Sequence, residues 1–129
     1  LHSTSRRQRQ MCIRDRAESD KYYAFLDIAP LQKGHTLVVP KQEEDYIFDL
    51  SDEELAGMMV FAKKVAKALQ KSVPCQRIGV AVLGLDVPHA HIHLVPLQQG
   101  NDLNFSNPKK EFPKEEMQAC ADLIASNME

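Results

Sequence analysis

The stretch Val87-Pro-His-Ala-His-Ile-His-Leu-Val-Pro-Leu97 sets His89, His91 and His93 at two-residue intervals among apolar neighbours. In a β-strand residues i, i+2 and i+4 share a face, so Ile92, Leu94 and Val95 predict a strand with three imidazoles along one side. A strand rises about 3.3 Å per residue, which separates the Cα atoms of His89 and His93 by about 13 Å. Zinc holds imidazole nitrogen at about 2.1 Å, so the three rings share one ion only if the strand bends sharply. Two neighbours of the triad with His35 as a further ligand form the metal alternative. Cys75 and Cys120 are weaker ligands, since neither has a C-x-x-C partner. Histidines serving only packing would each need a partner on a buried face. The spacing favours imidazole chemistry: a ring that titrates near neutrality can act as a nucleophile or move a proton.

Composition bounds the rest. A chain of 129 residues with 43% hydrophobic content is sized for one domain with a modest core. The net charge of −2 offers no electrostatic case for nucleic acid or a membrane surface, and no apolar run approaches the length of a spanning helix. Three unevenly spaced cysteines suit free thiols in a reducing cytoplasm. Residues 1–16 stand apart. They hold five of the six arginines and show no apolar periodicity, whereas every lysine lies at Lys21 or later. This predicts a disordered basic tail, or a segment foreign to the natural protein, ahead of a domain over 17–129.

Within that domain, Lys21–Ile28 reads as a strand, Ala29–Gly34 as a turn with Pro and Gly punctuation, and His35–Val39 as the returning strand. Ser51-Asp-Glu-Glu54 is a capping-box pattern opening a helix that runs to about Lys71. Leu55, Met58, Met59, Ala62, Val65, Ala66 and Leu69 form its predicted apolar side, which is core or a subunit contact. Gln76–Leu83 is a further strand, Gln98–Pro113 a polar loop, and Lys114 to about Met128 a last helix with Pro113 in its first turn. The order β-β-α-β-β-α predicts an α+β domain with an antiparallel sheet.

With these elements in place the chain resembles the histidine-triad (HIT) family of nucleotide hydrolases and transferases. That family's mark is H-φ-H-φ-H-φ-φ with φ apolar, and His89-Ala-His-Ile-His-Leu-Val95 fits every position. A second motif, Phe25-Leu-Asp-Ile28, then Pro30, then Gly34-His-Thr-Leu-Val-Val-Pro40, stands upstream in the right order. The resemblance implies an antiparallel sheet of about five strands with a central and a C-terminal helix, extended by homodimerisation. It further implies that His91 attacks an α-phosphate and becomes transiently nucleotidylated. His89 and His93 would orient it, bind phosphate oxygen or assist the leaving group, and His35 would pack beside the triad. Asp27 would hold the ribose hydroxyls, Phe25, Ile28 and Leu37 would flank a purine base, and Gly84 with the backbone after it, including Asp86, would approach the phosphate.

Those roles make chemical sense. Transfer at phosphorus depends mostly on positioning and charge stabilisation. A covalent histidine intermediate divides one displacement into two, the second being attack by water. An amine leaving group needs a proton, and a neighbouring imidazolium is one source. A carboxylate such as Asp27 accepts from both hydroxyls of a ribose; its plainer reading is a turn cap. The expected activity is therefore hydrolysis of a phosphorus–nitrogen or phosphoric anhydride bond in a nucleoside phosphoramidate, adenylate ester or dinucleoside polyphosphate, with no cofactor required and zinc the weaker alternative. A non-catalytic purine-nucleotide-binding module and a metal-binding protein are the other classes. The chain departs from its relatives at Gly84-Leu85-Asp86. Many of them carry Gly-Gln there followed by Ser, Thr or Glu, so Leu85 stands in place of an amide that helps bind phosphate. The N-terminal helix usual in the family has no counterpart in residues 1–16.

Overall fold

Aromatic residues in the first strand and branched residues in the second build the first hairpin. Tyr22–Leu26 forms β1 and Thr36–Pro40 forms β2, paired antiparallel with Phe25 opposite Leu37. The computed structural model describes residues 19, 21–85 and 89–128; the tail over 1–16 and Asp86 lie outside these. The hairpin loop turns through Gly34, whose φ of +89° lies in the left-handed region that favours glycine. A Cβ there would also stand 2.9 Å from Val73 Cγ2, so this glycine lets the loop rest on the helix that follows.

That helix, α1, spans Asp52–Ser72, and the Ser51 side chain accepts from the Glu54 amide at its start. Its buried face comprises Met58, Phe61, Ala62, Val65, Ala68 and Leu69. Met59 lies outside it, contrary to the sequence reading, while Phe61 and Ala68 join it. Arg77–Ala81 forms β3, Ile92–Leu97 forms β4, and Lys114–Ser126 forms α2. Pro113 is the N-cap of α2 rather than a residue of its first turn. Four strands are present among the described residues, in the antiparallel order β1-β2-β4-β3.

Strand alternation divides the sheet. Tyr22, Ala24, Leu26, Val38, Ile92 and Leu94 pack with α1 and α2 in the main core. Tyr23, Phe25, Leu37 and Val39 form a separate buried cluster. His93 lies between Ile92 and Leu94 in β4, so it points away from the helices, and it pairs with Leu37 on one side and Ala81 on the other.

The predicted triad strand is shorter than its pattern. β4 begins only at Ile92, leaving His89 and His91 ahead of it. Extending the β2–β4 register would set Ala90 opposite Pro40, which has no N–H to offer a ladder. Instead the Pro40 carbonyl lies 3.0 Å from His89 Nε2, and the Ala90 amide donates to the Glu44 carbonyl. The three imidazoles are therefore not carried on one strand face.

Candidate active site

His35 directly precedes β2 and is 1% exposed. Its Nδ1 accepts from the Leu31 amide at 3.0 Å, which places the ring proton on Nε2. That Nε2–H donates to His93 Nδ1 at 2.9 Å, so the His93 proton resides on Nε2. One backbone amide thus fixes the tautomers of two side chains in series. Burial, reinforced by the nearby His93 and Lys109 charges, holds His35 far below the usual imidazole range, at about 3. Burial, then His91 and Lys109, lowers His93 to about 4. Both rings are neutral at physiological pH.

His91 is oriented differently. Its Nδ1 lies 2.7 Å from the His89 carbonyl and donates to it, so the neutral tautomer of this ring has its lone pair on Nε2. The His91 and His93 rings stand edge-on, 4.7 Å apart between centroids. Asp27, directly after β1, accepts from the Ala29 amide at 2.8 Å through Oδ1, the turn-capping contact. Its Oδ2 lies 3.7 Å from His35 Nε2. Burial raises the Asp27 carboxyl above its ordinary value, opposed by the Ala29 hydrogen bond and the Lys109 charge.

These groups open on a cavity of about 230 Å³ lined by Asp27, His35, Gly84, His91, His93 and Lys109, with Ala29, Leu83, Leu85 and Phe105 completing it. Gly84 has a φ of +70° and open space where a Cβ would stand, so bare backbone faces the cavity mouth. Several of the residues singled out from sequence do not line it. His89 is buried with Nε2 directed at Pro40. Phe25 and Leu37 sit in the neighbouring apolar cluster, and Ile28 packs at the margin of the main core.

Sequence reasoning missed Phe105 and Lys109. The Phe105 ring stands edge-on to His93 at 4.7 Å, and Lys109 Nζ donates to the Phe105 carbonyl at 2.9 Å. The one available signal was an aromatic residue and a lysine pair, Lys109-Lys110, inside an otherwise polar loop. The loop is fastened at both ends. The Asp102 carboxylate accepts from the Gln98 and Gln99 amides, while the Lys110 amide donates to the Pro30 carbonyl.

Asp27, His35 and His93 form the group of potential metal ligands among the described residues, their donor atoms all within 4.8 Å of one another. A cation bound there would have to replace the His35–His93 hydrogen bond, because both nitrogens facing each other are already engaged.

The HIT domain matches residues 16–100, and the chain belongs to the HIT family. It is 33% identical over 114 residues to an adenosine 5'-monophosphoramidase of Schizosaccharomyces pombe, covering 87% of this chain and 86% of that protein. It is 31% identical over 96 residues to a bis(5'-nucleosyl)-tetraphosphatase of the same organism, covering 67% of this chain and 53% of that protein. Among solved structures, a zinc-bound histidine triad family protein from Mycobacterium smegmatis superposes with a TM-score of 0.73 at 26% identity, over 90% of this chain and 84% of that one. Among the described residues no helix is long and apolar enough to cross a membrane.

Proposed function

We propose that this chain is a nucleotide hydrolase acting at the α-phosphate of a purine ribonucleotide that bears an amide, ester or anhydride substituent. The observation that carries this reading is the state of His91. Donation from Nδ1 to the His89 carbonyl selects the neutral tautomer whose lone pair is on Nε2, at a cavity that also holds a carboxylate and a neutral N–H donor. The relatives named as a monophosphoramidase and a tetraphosphatase act on the two bond types anticipated from the sequence.

In this reaction His91 Nε2 attacks phosphorus. A nitrogen–phosphorus bond forms as the bond to the leaving group breaks, and the leaving group departs with that electron pair. Water then attacks phosphorus and gives up a proton to solvent, the pair returns to Nε2, and the nucleoside monophosphate is released. His93, protonated on Nε2, serves as a hydrogen-bond donor to phosphate oxygen. An amine leaving group also needs a proton, and His35 and His93, held neutral by burial, do not supply it as imidazolium. Asp27 Oδ2 receives the ribose hydroxyls while Oδ1 keeps its turn contact. His89 holds the segment before β4 in place through Pro40.

We also propose a homodimer formed through β3. This strand is an edge of the sheet among the described residues and exposes Val80 at 49%, with Val82, Leu83, Met59 and Val60 exposed as well. An unpaired apolar edge is a template for pairing with a second copy. Sedimentation of wild type and Val80→Lys tests this; the wild type should run as a dimer and the variant as a monomer. A monomeric wild type would remove the proposal.

The reaction is tested by trapping. Mixing the enzyme with a radiolabelled nucleoside phosphoramidate and quenching should leave label on the peptide carrying His91, and none in His91→Asn. Equal hydrolysis by both proteins would remove the covalent route. Loss of hydrolysis with nucleotide affinity retained would separate the enzyme from a binding module. A second reading is favoured by the Asp27–His35–His93 cluster, namely a zinc ion held there. About one zinc per chain after purification would support it, and its loss on chelation without loss of hydrolysis would confine zinc to a structural part.

A further inference from the structure

The strand side of the cavity carries no fixed positive charge. His35 Nδ1 accepts from Leu31 and His93 Nδ1 accepts from His35, so neither ring can gain a second proton without breaking a bond. Across the cavity, Leu83, Gly84 and Leu85 contribute no side-chain donor, and Leu85 is 88% exposed. A phosphate held in such a place needs a cation or several converging donors. Among the described residues lining the cavity, Lys109 is the one lysine or arginine.

Its placement is built into the loop. Asp102 gathers the Gln98 and Gln99 amides and accepts from Gln32 Nε2 at 3.3 Å, and Lys110 Nζ donates to Gln32 Oε1 at 3.0 Å. Both anchors tie the segment 98–110 to the β1–β2 loop that carries Asp27 and His35. Between them Phe105 rests on His93, and the Lys109 ammonium lies 5.6 Å from the centre of the Phe105 ring. The Lys109 charge lowers the proton affinity of Asp27, His35 and His93, three groups on one rim of the cavity.

Building on the hydrolase reading above, we propose that Lys109 is the phosphate-binding cation of this pocket, its ammonium leaving the Phe105 carbonyl to bind the nonbridging oxygens of the α-phosphate beside His91. The loop cation supplies a charge that no side chain of Leu83, Gly84 or Leu85 supplies. One ammonium matches the single negative charge of a substituted α-phosphate, whatever the leaving group. The substrate class follows: nucleotides recognised by the ribose and the singly charged α-phosphate, with the leaving group outside the charged part of the pocket.

The test compares the full chain as wild type, Lys109→Met and Lys109→Arg. Calorimetry gives affinities for adenosine and AMP, and steady-state assays give kcat/KM on adenosine 5'-phosphoramidate. Lys109→Met should lose on the order of 10²-fold in kcat/KM, the low end of the effect of removing one donor to a developing oxyanion. It should also lose most of the preference for AMP over adenosine while adenosine affinity holds. Lys109→Arg should recover most of both. Unchanged AMP affinity and turnover in Lys109→Met would overturn the inference, as would an equal loss of adenosine and AMP affinity in both variants. If the wild type fails to hydrolyse the phosphoramidate while Lys109→Met still loses the AMP preference, the hydrolase reading falls and the phosphate cation stands.

Discussion

On one side of the cavity, His35 and His93 are buried, bonded to each other and fixed in tautomer by a backbone amide; on the other, Leu85 and Lys109 stand in solvent. The first side belongs to the sheet: β2 and β4 cannot shift without disturbing the register that joins Leu37 to His93. The second belongs to a loop and to the segment leaving β3. The difference assigns separate duties. Geometry that must be held to a fraction of an ångström sits on strands, and groups that must meet a variable ligand sit on loops.

The sharpest way to break this comparison is His35→Leu. It removes the acceptor for the Leu31 amide and the donor to His93 Nδ1, leaving two buried groups unsatisfied. Each orphan costs about 1–3 kcal/mol, so a loss of about 3 kcal/mol is expected in chemical denaturation. The freed His93 ring should also cost turnover more than nucleotide affinity. A variant as stable and active as wild type would show that the strand side is not a preorganised unit.

The same two rings should write a pH dependence into stability. The unfolded chain binds protons at each histidine below about pH 6.5, whereas folded His93 and His35 do so only near 4 and 3. The unfolded state therefore holds more protons between these limits, and stability falls as pH is lowered from about 6.5 toward 4. The slope approaches about 1.4 kcal/mol per pH unit for each ring. Asp27, whose carboxyl is raised by burial, acts in the opposite sense near its own titration. Melting curves across pH 4–8 in wild type and His35→Leu would check this; a slope that persists undiminished in the variant would assign it elsewhere.

How much of this was legible in the sequence differs between the two sides for a physical reason. Periodicity and punctuation located the hairpin, α1, β3 and α2 within a few residues, because each rests on local alternation, caps or prolines. The motif around Asp27 and His35 and the triad itself pointed to one pocket, and His35, His91 and His93 do meet there with Asp27. The length of the triad strand was not legible. It depends on Pro40 in a different strand lacking an N–H at the position where the ladder would continue. Phe105 and Lys109 were not legible either, since a polar loop has no period and its path is set by distant partners, Pro30 and Gln32.

On the loop side the expected effects are smaller. Phe105→Leu removes an edge-on contact with His93, and aromatic pairs of this kind contribute about 0.5–1.5 kcal/mol. Stability should fall by no more than that, with His93 still held by His35. A loss matching that of His35→Leu would mean the loop, not the sheet, fixes the triad.

Leu85→Ala should change least. The side chain is almost wholly in water, so truncating it removes little buried surface, and stability should stay within about 0.5 kcal/mol of wild type. Its effect on catalysis is the more informative measurement, because Leu85 lines the cavity beside Gly84. If Lys109 carries phosphate recognition, kcat/KM for a phosphoramidate and for a dinucleoside polyphosphate should change together, each by about threefold or less. A change confined to one of the two would mean that Leu85 touches the leaving group, and would move substrate choice from the Lys109 loop to the segment after β3.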